Sequence, residues 1–277
     1  MNSEREKPIG IFDSGLGGLT VVREIWRDLP QERITYFGDT ARVPYGGRSA
    51  AEITEFNSQI IEFMLQEGIK AVIFACNTSS ALALQEMRKR YPVPMFGIIK
   101  PGAKAALATS SNRRIGLLAT EATVKSGAYE RAILALEPTA QVFPMACPKL
   151  VPLIEKGELD SPETEGALQE YIDPLAEAGV DTLIYGCTHY PFLDSVITRL
   201  YPGRFKLVDP AKSCVREVRE YLQQNALLAQ EARGEDRYFV SGDPGHFAAL
   251  GSRLAGRILP APQKVDVFGE NALKVLP

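Results

Sequence analysis

The chain is poor in several residues at once. Among 277 residues there are four cysteines, two histidines and one tryptophan. The cysteines, at positions 76, 147, 187 and 214, include no C-x-x-C pair, which excludes a disulfide framework. Neither sign of charge dominates: 31 basic residues mix with 34 acidic ones, for a net charge of −3. Without a basic stripe there is no footprint for nucleic acid, and without a basic amphipathic stretch none for a membrane surface. No apolar run approaches the roughly 20 residues that span a bilayer. The opening MNSEREKP has no apolar core, so no secretory signal is expected. What remains is ordinary globular composition, 45% hydrophobic and 23% charged, sufficient for one large or two small domains. A soluble cytoplasmic protein with free thiols is expected.

Strand-like and helix-like segments alternate. PIGIFDSGLGGLTVVREI reads as strand, glycine-rich turn and helix, and RITYFGDT as a second strand ending near Asp39. In SAAEITEFNSQIIEFMLQEG, Ser49 and Glu52 have capping-box spacing, and Ile53, Phe56, Ile60 and Phe63 recur at helical intervals. Gly68 is a natural stop. The run AVIFA then gives a buried strand that ends on Cys76, with a helix after it. Such alternation predicts an α/β fold with mostly parallel sheets covered on both faces.

The pattern then repeats. RRIGLLATEATV resembles KPIGIFDSGLGG, with Ile115-Gly116 lying 106 residues after Ile9-Gly10. Asp13 and Ser14 fall opposite Ala119 and Thr120, and Phe143 lies 106 residues after Phe37. In DSPETEGALQEYIDPLAEAG, Ser161 is the expected N-cap and Pro162 a first-turn residue. VDTLIYGCTHYPFL matches IKAVIFACNTSSAL position for position, placing Cys187 111 residues after Cys76. Two related three-layer α/β halves follow, related by a pseudo-two-fold, with the site in the cleft between them. The expected first domain is residues 1–99 plus 209–277, and the second is 100–208. Crossings fall near Lys100-Pro101-Gly102 and Asp209-Pro210. The segment after Asp209, with a helix in SCVREVREYLQQNALLAQ and a strand in RYFV, is expected to return to the first half. A further short strand is expected at VDVF.

Open parallel sheets bind ligands at the carboxyl ends of their strands, where both cysteines fall. A single free cysteine there is most simply core. Two of them at matching positions, each followed by polar residues, ask for more. Backbone N–H groups of the following helix are expected to lower the thiol pKa and to hold a carboxylate. Asn77 and Thr78 add donors in one half and Thr188 in the other. Two opposed thiols, Cys76 and Cys187, suit stereoinversion: one takes a proton from a carbon while the other returns one to the opposite face. Asp13 is placed to assist Cys76, or to serve as a turn residue. His189 lies beside Cys187, and Glu155 either orients His189 or is an ordinary surface carboxylate.

Other readings fit less well. Gly15 and Gly17 begin a dinucleotide fingerprint, but Thr20 occupies its last position and Asp13 points a carboxylate at the phosphate site. A zinc site from Cys76, Cys187 and His189 lacks the usual ligand spacing. A redox pair of the two thiols and a non-catalytic amino-acid-binding module are the remaining alternatives. Cysteine-to-serine changes discriminate the binding module, which would survive them.

FDSGLGG, VPYGGRS, ACNTSSA, VPLIEKGE and GCTHYPFL occur in order and at matching separations, and in these motifs the chain closely resembles the glutamate racemases. The resemblance covers nearly all of the chain. It implies interconversion of L- and D-glutamate without cofactor or metal, supplying D-glutamate for peptidoglycan. It implies Cys76 as the catalyst acting on the D-enantiomer and Cys187 on the L-enantiomer, with Asp13 auxiliary to Cys76, and Glu155 and His189 auxiliary to Cys187. Ser14, Asn77, Thr78 and Thr188 would hold the amino and α-carboxylate groups, and backbone N–H groups at Tyr45 and Gly46 the distal carboxylate. The same resemblance implies two α/β domains and a homodimer. A racemase for another acidic amino acid, such as aspartate, shares this logic and is the nearest alternative.

Overall fold

In the computed structural model the described residues are 4–231, 234–266 and 274–275. Among these residues eleven strands form two sheets. Those of the first half are β1 (Ile9–Asp13), β2 (Ile34–Gly38), β3 (Ala71–Phe74) and β4 (Met95–Gly97). Those of the second are β5 (Arg114–Ala119), β6 (Gln141–Ala146), β7 (Thr182–Gly186) and β8 (Lys206–Val208). The chain then adds β9 (Arg237–Val240), β10 (Gln263–Asp266) and β11 (Lys274–Val275). The sheet orders are β11-β10-β9-β2-β1-β3-β4 and β6-β5-β7-β8. Every pair is parallel except β10 with β11.

The order β2-β1-β3-β4 recurs as β6-β5-β7-β8, so the sequence repeat is a repeat of topology. Register confirms the cysteine spacing: Ile9 pairs with Ala71, and Ile115 with Thr182, which preserves the interval of 111. The Phe37–Phe143 spacing is not an equivalence. Phe37 pairs with Phe12 but Phe143 with Gly116, and the residue facing Gly10 is Thr35. The second half therefore reaches β6 with a connection two residues different from that before β2, and equal spacing there is coincidental.

Side chains alternate between two faces, as the strand period requires. Ile9, Ile11, Ala71 and Ile73 point into the same cluster as Ile115, Leu117 and Ile184. This shared apolar layer joins the two halves. Phe12, Val72 and Phe74 face an outer layer closed by the helix Ala50–Gln66. Leu118, Leu183 and Tyr185 face another, closed by the helix Pro162–Glu177. Burial on both faces explains the unbroken apolar runs. Cys76 and Cys187 fall at the same parity, each on its outer layer.

Local signals behave as their chemistry dictates. Ser49 and Glu52 form the reciprocal capping box, and Ser161 caps a helix that begins at Pro162. Helices begin at both points where crossings are expected, Ile99–Thr109 and Pro210–Gln224, the latter capped by Asp209. These helices pack together so closely that a Cβ on Gly102 would stand 2.9 Å from Pro210. β9 and β10 join the first sheet, β9 beside β2. Of VDVF, Val265 and Asp266 close β10, and residues 267–268 lie outside the described residues. Among the described residues no helix is long and apolar enough to cross a membrane.

Candidate active site

Cys76 stands just past β3 as N-cap of the helix Asn77–Leu82, and Cys187 follows β7 directly. Both line one cleft, together with Ser14, Tyr45, Gly46, Asn77, Thr78, Thr188 and His189. Asp13 and Glu155 lie behind this lining. The cleft is closed: Cys76 is 5% and Cys187 7% exposed, and only about 10 Å³ is free between the walls. A roomier hollow of about 370 Å³, lined by Leu84, Arg88 and Arg131, touches neither thiol.

The Cys187 side is a relay. Its Sγ lies 3.6 Å from His189 Nδ1, and His189 Nε2 donates to Glu155 Oε1 at 2.6 Å. That oxygen also accepts from the Leu16 N–H at 3.2 Å. Burial opposes a charge on His189, but its bonds to Cys187 and Glu155 outweigh burial and raise its pKa well above the ordinary 6.5. Burial likewise works against Glu155, and the His189 partnership reverses it, lowering the carboxyl below its ordinary value. Glu155 is no surface carboxylate; its side chain keeps 17% of its exposure.

The Cys76 side has no imidazole. Cys76 Sγ lies 4.0 Å from Ser14 Oγ, and the Ser79 hydroxyl and N–H also act on it. Asp13, at the end of β1, accepts from the Gly15 N–H and from the Thr188 hydroxyl, each at 3.0 Å. It thus forms a local turn and a bridge between the halves at once. Complete burial raises its pKa, against the pull of His189 and these two donors.

For Cys76 the expectation of a thiol acidified by a helix terminus is corrected. Burial, reinforced by the Asp13 charge, raises Cys76 to about 12, and the opposing N–H at Ser79 is too weak to reverse it. The helix after Cys76 has six residues, too short for a large end charge. After Cys187 no α-helix follows at once; a turn leads to the short 3-10 helix Tyr190–Leu193.

The glycine-rich loop serves the facing half and not a phosphate. A Cβ on Gly17 would fall 2.3 Å from Thr188 Oγ1 and 2.6 Å from His189 Nδ1, and one on Gly15 would fall 2.4 Å from Glu155 Oε1. Tyr45 is held from behind: its hydroxyl and Arg42 Nε both donate to the buried Asp39, which also accepts from Ser241 at 2.7 Å. Sequence reasoning missed Thr120 in the lining and Thr123 beneath it. Thr78 Oγ1 lies 3.0 Å from Thr120 Oγ1 and 3.3 Å from Thr123 Oγ1. The signal was present, because Thr120 is the residue that falls opposite Ser14 in the repeat.

Two thiols, one from each half, thus face a small cleft rich in hydroxyl, amide and N–H donors. That suits an anionic ligand whose carbon exchanges a proton. A sequence profile of the Asp/Glu/Hydantoin racemases matches residues 16–218. The chain belongs to the Asp/Glu/Hydantoin racemase family. Within it, the glutamate racemase of Desulforudis audaxviator is 52% identical over 256 residues, 90% of this chain and 94% of that one. Glutamate racemase isoform RacE1 of Bacillus anthracis has a TM-score of 0.90 at 35% identity, covering 95% of this chain and 98% of that one. The glutamate racemase of Francisella tularensis, solved with D-glutamate, has a TM-score of 0.88 at 33% identity, with the same coverages. Racemase-family membership and the α/β fold therefore agree with the geometry of the cleft.

Proposed function

We propose that this chain interconverts L- and D-glutamate by two-base proton transfer, supplying D-glutamate for peptidoglycan. The observation that carries this reading is the convergence of Cys76 and Cys187, from matching strand ends, on one donor-lined cleft. From L-glutamate, Cys187 as thiolate takes the α-proton: the C–H bond breaks and an S–H bond forms. Cys76 as neutral thiol gives its proton to the opposite face, leaving a thiolate. The reverse reaction exchanges their roles. The α-proton is a weak acid, so stabilisation of the carbanion falls to a desolvated cluster of donors.

His189, held as imidazolium by Glu155, stabilises negative charge on the Cys187 side. Asp13 is auxiliary to Cys76 in the opposite sense, its charge favouring the protonated thiol that acts as the acid. Ser14, Asn77, Thr78 and Thr188 hold the amino and α-carboxylate groups, and backbone N–H groups at Tyr45 and Gly46 the distal carboxylate. The reading takes residues 1–99 with 209–277 and residues 100–208 as two domains, supported by the strand membership of the two sheets. It includes a cytoplasmic homodimer, supported by resemblance to the family; sedimentation checks the assembly.

Proton NMR in D₂O tests the reaction, with L-glutamate, D-glutamate and L-aspartate in turn and no cofactor added. Loss of the glutamate α-proton signal together with the opposite enantiomer in a chiral assay is the expected result. Exchange with aspartate alone would keep the mechanism and overturn the substrate. No exchange from folded, reduced protein would overturn both.

A further inference from the structure

Asn77 lines the cleft next to Cys76 and is 2% exposed. Its amide is engaged at one end only. The Tyr129 hydroxyl donates to Asn77 Oδ1 at 2.7 Å, while Asn77 Nδ2 is buried with no hydrogen-bond partner. Buried donors without acceptors are costly and rare, so one at a cleft wall points to a ligand that accepts from it.

Tyr129 comes from the facing half, on the helix Ala128–Leu134, and is fully buried. Among the described residues Asn77 is the one acceptor its hydroxyl finds. Burial raises the phenol well above its ordinary pKa, so it keeps its proton. A hydroxyl with a single acceptor has to donate there. That requirement fixes the amide with oxygen toward Tyr129 and nitrogen toward the cleft. The opposite orientation would strand the Tyr129 proton and set an oxygen against an anion. Gly102 keeps the space for this contact: a Cβ there would stand 3.2 Å from Tyr129 Oη.

We propose that Tyr129 is a positioning residue that aims the Asn77 amide N–H₂ at a carboxylate of the substrate. The proposal rests on the racemase reading and deepens it. Because Tyr129 and Asn77 belong to opposite halves, the donor is aligned only while the halves are packed as they are here. Recognition of the anion is thereby tied to that packing.

The test is a double-mutant cycle with Tyr129→Phe, Asn77→Ala and both together, measuring KM and kcat from each enantiomer and the thermal midpoint. Tyr129→Phe removes a ground-state contact, so KM should rise about tenfold at nearly constant kcat, the scale of one hydrogen bond to a charged group. Asn77→Ala should cost at least as much, and the double variant should match it within about twofold. Multiplying effects, or an unchanged KM in Tyr129→Phe, would overturn the assignment. If Tyr129→Phe is unstable, Asn77→Asp decides. It keeps the acceptor for Tyr129 and replaces the N–H₂ by an oxygen, so its KM should exceed that of Asn77→Ala; a lower one sinks the idea. Wild-type turnover separates the two failures. Without racemisation by the wild type the functional reading falls and takes this inference with it; with it, only Tyr129 loses its role.

Discussion

Thr188 donates its hydroxyl hydrogen to the Asp13 carboxylate at 3.0 Å. Asp13 ends the first strand of one sheet, and Thr188 follows the cysteine of the other. A single hydrogen bond therefore joins the floor beneath one thiol to the neighbour of its opposite. The coupling is electrostatic as well: the His189 charge draws the Asp13 pKa down, and the Asp13 charge pushes Cys76 up. The two half-sites are one unit, and a change on either side is felt across the cleft.

Removing one thiol should separate proton exchange from inversion. In Cys76→Ser the base for L-glutamate remains, so that enantiomer should still exchange its α-proton in D₂O without yielding the other. Cys187→Ser leaves only Cys76, which keeps its proton near neutrality, so D-glutamate should exchange its α-proton far more slowly there than L-glutamate does in Cys76→Ser. Racemisation should drop by about 10³-fold in each, the range of a lost general acid or base. Near-wild-type turnover in both variants would refute the two-thiol mechanism. NMR exchange beside a chiral assay reads both quantities.

Gly17→Ala should abolish most activity in a protein that still folds. Its Cβ would overlap Thr188 and His189, and both would have to leave their places. Misplacing a catalytic group by about 1 Å costs on the order of 10²-fold. Gly47→Ala is the control: nothing lies within 4 Å of its added Cβ, so turnover should be unchanged. Comparable activity in the two variants would show that the loop's close approach is irrelevant to catalysis.

Much of this is legible in the sequence. The mostly parallel α/β class follows from alternation of buried runs with helices, and the cysteine pairing from an interval that strand register preserves. Helix ends were marked by Ser49, Ser161 and Pro162, whose cap chemistry is local. What failed was what depends on the surroundings. Phe143 looked equivalent to Phe37 because spacing does not record register. Cys76 looked acidic because the sequence shows a helix after it but not the burial that outweighs the helix. Tyr129 was illegible because nothing local links it to Asn77, 52 residues away.

Glu155→Gln should destabilise the protein within a definite pH window. The His189 pKa is raised in the fold, so its contribution is full below the unfolded value of 6.5 and is lost as pH rises through the folded value. The Glu155 pKa is lowered, so its contribution is full above the unfolded value of 4.5 and is lost as pH falls through the folded one. Both are fully present between 4.5 and 6.5. There the variant should lose roughly 2 kcal/mol, on the order of 5 °C in thermal midpoint. The gap should narrow on either side. A gap that is flat across pH would mean the two groups do not form the charged pair.

The ionisation of Cys76 should be late. Burial and Asp13 raise it to about 12, and burial raises Cys147 and Cys214 as well. In Cys187→Ser every remaining cysteine is therefore protonated near neutrality. Thiolate ultraviolet absorbance, titrated upward in ligand-free protein, should stay flat well beyond the ordinary 9.0 of a thiol. A midpoint at or below 9.0 would mean that the N–H groups opening the helix Asn77–Leu82 outweigh burial after all. The outcome bears on mechanism. A Cys76 that keeps its proton begins the cycle as the acid, and a cleft beginning with an acid on that side is poised to receive L-glutamate first.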